Sequence, residues 1–153
     1  MKISWDLPPF RPGIWDDIDK FIGPGATKAE KWIQFYPALA LAGGIVVFGL
    51  VNQVGWSFWQ FVIVALLSVD MLGGVLTNAT SAAKRWFFRE GEGFRQHMSF
   101  VALHLAQIIL FSWAFLDVNV AWIVGVYGVL MGGSAIILKS PLYLQRSSPE
   151  KPS

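Results

Sequence analysis

The chain has no cysteine, only two histidines and little charge: 14% of its 153 residues are Asp, Glu, Lys or Arg, against roughly 25% in soluble domains. Without cysteine there is no disulfide, no thiolate nucleophile, no thiolate-held metal and no iron–sulfur cluster, and the redox compartment goes unread. The basic residues give a formal net charge of +2 but form no dense cluster of the kind that tracks a phosphate backbone, so nucleic acid is not an expected partner. Near the start, Asp6, Pro8 and Pro9 stand where a signal peptide would carry a basic region and a long apolar run, so no cleaved targeting segment is expected.

What the chain does have is apolar surface. Apolar residues make up 54% of it and the mean hydropathy is +0.50, which points to lipid as solvent and to the bilayer as the first partner. Eight Trp and twelve Phe gather near the ends of the apolar runs, as rings do that favour the headgroup layer. Four runs approach the ~20 residues that a spanning helix needs: Trp32 to Val51, Phe58 to Thr77, Met98 to Leu116 and Val118 to Leu138. The connections Asn52 to Ser57 and Asp117 to Asn119 are short, so successive helices are antiparallel neighbours. The expected fold is all-α: an antiparallel bundle of four transmembrane helices with an N-terminal interfacial amphipathic helix.

Lys2, Arg11, Lys20, Lys28 and Lys31 precede the first run, Lys84, Arg85, Arg89 and Arg95 lie between the second and third, and Lys139, Arg146 and Lys151 follow the fourth. The two remaining loops hold no Lys or Arg, and the positive-inside rule then puts both termini in the cytoplasm. Residues 1–26 form a cytoplasmic segment, 27–140 the membrane domain, and 141–153 a tail of Ser, Pro and charge expected to be disordered. Within the first segment, Ile14, Trp15, Ile18, Phe21 and Ile22 share one helical face, with Asp16, Asp17, Asp19 and Lys20 mostly opposite. Gly23-Pro24-Gly25 stops that helix, and Thr27 with Glu30 has the spacing of a capping box that opens the next. Pro37 reads as a mild kink in the first span.

An ionisable group within a span is a functional hypothesis by default. Asp70 lies near the middle of the second run, and on a continuous helix Asp70, Gly74, Thr77, Ser81 and Lys84 share a stripe, with Gly73, Asn78 and Arg85 at its edges. His97 and His104 are seven residues apart, so they face the same way about 10 Å apart along the third helix, with Gln107 at the edge of that face. Closing the pair near Gly91 brings His97 level with Lys84 and Arg85, His104 with Thr77 and Asn78, and Ser112 with Asp70. The functional reading is a hydrated pocket of Asp70, Thr77, Asn78, Ser81, Gln107 and Ser112, in which Asp70 and His104 are the candidate catalytic or proton-carrying groups. The structural reading is a hydrogen bond from Asp70 to Ser112 or to another span, with the small residues permitting close helix packing. His97, Lys84 and Arg85 are read as interfacial.

No metal site is expected, because two His seven apart match neither the i, i+4 spacing of a zincin helix nor the Glu-x-x-His of di-iron bundles. Two His along one helix face cannot grip a haem from both sides, which leaves single-His ligation of a tetrapyrrole by His104 open and no cofactor assigned. Asn78-Ala79-Thr80 is a formal glycosylation sequon in a place no acceptor would be reached. Gly128 and Gly132, with Gly125 and Gly133 nearby, allow a helix to approach the fourth span closely, and packing within the bundle is the expected use.

Asp70-x-x-Gly73-Gly74-x-x-x-Asn78, then Lys84-Arg85-Trp86-Phe87, then His97 and His104, resembles small uncharacterised multi-pass membrane proteins of bacteria from Thr27 onward. The resemblance implies a bacterial inner-membrane location and transfers no activity. Two functions stay open. One is an accessory or structural subunit packed on a larger membrane complex; the other is a small enzyme or proton-coupled carrier built on the Asp70 and His104 pocket.

Overall fold

The computed structural model describes residues 6–9, 13–89 and 91–140. The expected tail over 141–153, the remainder of the 1–26 segment and the side chain of Trp15 lie outside the described residues. The described chain is all-helical, in seven segments: α1 (Ile14–Ile22), α2 (Lys28–Val51), α3 (Phe58–Ala79), α4 (Ser81–Phe87), α5 (Phe94–Ala102), α6 (Leu105–Phe115) and α7 (Val120–Lys139). With α5 and α6 joined as one span over Phe94–Phe115, four helices are long and apolar enough to cross a membrane, and the chain is an integral membrane protein.

Caps set the helix starts. The Thr27 hydroxyl accepts from the Glu30 amide at 3.2 Å and the Glu30 carboxylate accepts from the Thr27 amide at 2.8 Å, so α2 begins at Lys28 rather than Trp32. A second box, unforeseen in the sequence, joins Ser57 and Gln60, with the Gln60 side chain accepting from the Ser57 amide at 2.7 Å. The Asn119 side chain accepts from the Trp122 amide at 3.0 Å and opens α7. α2 runs through Pro37 without ending.

Two breaks revise the expected helices. Thr80 is extended (ψ 153°), and its hydroxyl accepts from the Ala83 amide, ending α3 and starting α4. The stripe from Asp70 to Lys84 therefore does not continue along one helix: Ser81 and Lys84 belong to a new one. The third span is interrupted by a turn at Leu103–His104.

Small residues govern the packing. α2 and α3 form the most extensive pair, with Gln34, Ala38, Ala42 and Gly49 as the buried positions of α2. Ala38 meets Gly73 of α3, where an added methyl would lie 3.8 Å from the Ala38 side chain, and Gly49 leaves room for the Phe61 ring. In lipid, such close approach supplies the dispersion and hydrogen bonding that hydrophobic burial cannot. Further contacts run α3–α6, α6–α7 and α5–α7. At the end away from the basic residues, Trp56 sits edge-on to Phe61 and Phe115, at 5.4 and 5.3 Å between ring centroids.

At the basic end, α1, α2 and the α3–α4 break interlock. Gln34 is fully buried and donates to the Ile22 carbonyl and the Thr80 hydroxyl, both at 3.1 Å. Thr80 donates to the Thr77 carbonyl at 2.8 Å, and Glu30 accepts from the Ala82 amide at 3.0 Å. Gly23 (φ +90°) lies so close to α4 that an added methyl would fall 2.4 Å from the Ala82 and Ala83 backbone. α1 forms as the expected amphipathic helix: Ile14, Ile18 and Phe21 stay exposed on its apolar face, while Asp19 and Ile22 are buried where its last turn docks on α4.

Candidate functional site

Asp70 and Gln107 meet between α3 and α6: the Gln107 amide donates to the Asp70 carboxylate at 2.8 Å. The expected partner, Ser112, is instead fully buried with its hydroxyl unpaired. The register is shifted because a long amide side chain reaches Asp70 from one turn nearer the break in the third span. The Asp70 side chain is exposed on the outside of the helix pair. In a bilayer that surface faces hydrocarbon unless another chain covers it.

Towards the basic end the third span leaves α3, and α5 leans on α7. The space between α3–α4, α5 and α7 is a cleft of about 580 Å³. Trp86, Phe87, Phe88 and Phe100 form its aromatic walls, and Leu130, Ile137 and Leu138 of α7 its aliphatic one. Polar groups enter from Asn78 at the end of α3, Gln96 on α5, His104 in the break of the third span, and Ser134 on α7. His97 also lines it.

The two imidazoles are oriented alike. Nδ1 of His97 lies 2.9 Å from the Gly93 carbonyl, and Nδ1 of His104 lies 3.2 Å from the Val101 carbonyl and 3.3 Å from that of Phe100. A carbonyl only accepts, so the network assigns the proton of each neutral ring to Nδ1 and leaves Nε2 as a lone pair. Nε2 of His97 is sealed in the wall with no partner, its ring 5.1 Å from that of Phe88. Nε2 of His104 has no partner among the described residues and is not sealed. Arg89 pairs with Glu92 and stacks 3.5 Å over the Trp86 ring, so the charged residues of the lining cancel.

The expected pocket residues thus divide among three places. Asn78 joins His97 and His104 at the cleft; Asp70 and Gln107 lie outside its lining; Thr77 is buried in the interlock with Gln34 and Thr80. Ser81, Lys84 and Arg85 are half-buried on α4. Sequence reasoning missed Gln34, although a polar residue inside an apolar run was signal enough, and it missed Ser134 and the aromatic walls, which carry no spacing signal. Among the described residues no cluster of three His, Asp or Glu forms a metal site. Among the described residues, no atom of another element lies within 4 Å of where a methyl would stand on Gly125, Gly128, Gly132 or Gly133 of α7, so the described helices do not use that face for the expected packing within the bundle.

Comparison with known proteins finds no matching family model, no matching curated protein and no matching solved structure.

Proposed function

We propose that the chain is an accessory or structural subunit of a larger membrane assembly, held in a bacterial inner membrane with both termini cytoplasmic. The orientation is supported by the segregation of Lys and Arg to one side of the four spans, and the bacterial membrane by the family resemblance. The subunit reading is carried by one observation, the Asp70–Gln107 pair displayed sideways at mid-span. A carboxyl group facing lipid costs a few kcal/mol on insertion scales. A neighbouring span that offers a donor to Asp70 removes that cost and gives the pair a purpose. The bare α7 surface fits the same reading: none of its residues is buried.

The alternative, an enzyme or proton-coupled carrier using Asp70 with His104, has less support, since the cleft that reaches His104 does not touch Asp70. The test is extraction from the native membrane into polymer-bounded discs, followed by mass photometry and native gels. The expected particle contains other polypeptides beside the 17.0 kDa chain. Asp70→Leu should release the chain from that particle, whereas Asp70→Asn, which keeps a hydrogen-bonding group, should retain much of it. A lone 17.0 kDa chain in native discs would sink the proposal.

A further inference from the structure

The cleft does not depend on the subunit reading, and its chemistry is specific. Its volume of about 580 Å³ falls within the range of roughly 300–1,000 Å³ typical of small-molecule sites, which are mostly apolar with a few convergent polar groups. Trp86, Phe87, Phe88 and Phe100 line the cleft, and aromatic walls suit a ring, since offset or edge contacts between rings add to simple burial. Nε2 of His104 has no hydrogen bond among the described residues, and with the ring proton on Nδ1, towards the Val101 carbonyl, Nε2 accepts a hydrogen bond. The occupant therefore carries a donor. Arg89 is already engaged by Glu92 and Trp86, so no cation in the lining is left for a phosphate or a carboxylate, and a neutral ligand is selected. Leu130 and Ile137 extend the cleft along α7, a helix none of whose residues is buried.

We propose that this cleft binds a neutral aromatic alcohol of the hydroquinone type, whose hydroxyl donates to Nε2 of His104 and whose apolar tail lies along α7. Asn78 and Ser134, from opposite walls, are placed to take the second hydroxyl. The distinguishing property is redox selectivity. The reduced ring has the O–H that His104 needs, whereas the oxidised ring offers only carbonyl acceptors that face the same lone pair.

The test uses the full chain in phosphatidylcholine nanodiscs and a short-chain naphthohydroquinone, measured by anaerobic equilibrium dialysis with empty discs subtracted. The reduced probe should bind saturably, and the oxidised naphthoquinone at least tenfold more weakly. His104→Phe should lower affinity for the reduced probe about tenfold, the effect of one lost hydrogen bond, and erase the redox preference. Ser134→Phe, which fills the cleft from α7 without touching the imidazole, should weaken both forms. If His104→Phe does not fold, the wild-type redox preference together with Ser134→Phe decides. Uptake equal to that of empty discs, equal binding of the two redox forms, or affinity unchanged by both substitutions would overturn the proposal. So would a Soret band in the purified protein, which would make the occupant a tetrapyrrole.

Discussion

Where α1, α2 and the α3–α4 break meet, a few polar side chains and the backbone of neighbouring segments answer one another. Gln34, Thr80 and Glu30 each serve two or more partners, and Ala38, Ala82 and Ala83 are wholly enclosed. α7 is the opposite case. It buries no residue, its glycines stand open, and it touches the rest mainly through α5 and α6. The first half of the molecule specifies its own geometry by hydrogen bonds and tight backbone approach. The last span is positioned by fewer contacts and leaves most of its surface to lipid or to another protein.

The strongest way to break this contrast is Gly23→Ala. An added methyl meets the α4 backbone at 2.4 Å in a conformation that L side chains disfavour, so the loss should be about 3 kcal/mol. It is measured by denaturant unfolding in detergent, with proteolysis near residue 23 as a local readout. Next, Gln34→Leu removes two buried hydrogen bonds and leaves the Ile22 carbonyl unpaired; about 1–2 kcal/mol should be lost by the same measurement.

A change of opposite sign sharpens the contrast in the looser half. Val118 is a β-branched residue at φ +57° in the short connection between α6 and α7, where the left-handed conformation costs roughly 1–2 kcal/mol. Val118→Gly should raise the unfolding midpoint, by a net of about 1 kcal/mol once the added chain entropy of glycine is counted. The smallest effect is expected for Gly128→Ala with Gly132→Ala. Both positions are open, so no clash opposes the helix preference for Ala and the isolated chain should lose no stability, with at most a gain of about 1 kcal/mol. The same pair examined in native discs reports separately whether a neighbour uses that face.

Much of the fold was legible because lipid imposes a simple rule: uninterrupted apolar runs become helices whose backbone groups pair internally. The Thr27–Glu30 box was legible for a similar reason, since capping is local. Its second task was not, because the bond from Glu30 to the Ala82 amide joins residues 52 apart and no periodicity records it. The break at Leu103–His104 was hidden by apolar composition that continues across it, and the one at Thr80 by a helical stripe that runs past it with no glycine or proline at the break. Helix-wheel reasoning then carried the Asp70 stripe too far and matched Asp70 with Ser112 instead of Gln107. Of the candidate site, the pairing of His104 with Asn78 survives as shared cleft lining. The aromatic enclosure around them arises from how α5 leans on α7, which depends on tertiary geometry alone.

The reach of Glu30 to Ala82 also sets an order of events during synthesis. The chain is made from its N-terminus, so the Thr27 cap can close as soon as α2 exists. The seat for Gly23 and the second partner of Glu30 come into being only after Ala82 and Ala83 have been added. Until then α1 has only the Gln34 bond to Ile22 to hold it and lacks its seat on α4, so a nascent chain halted before residue 82 should leave it more open to protease. The first helix to be made is thus among the last to be fixed in place.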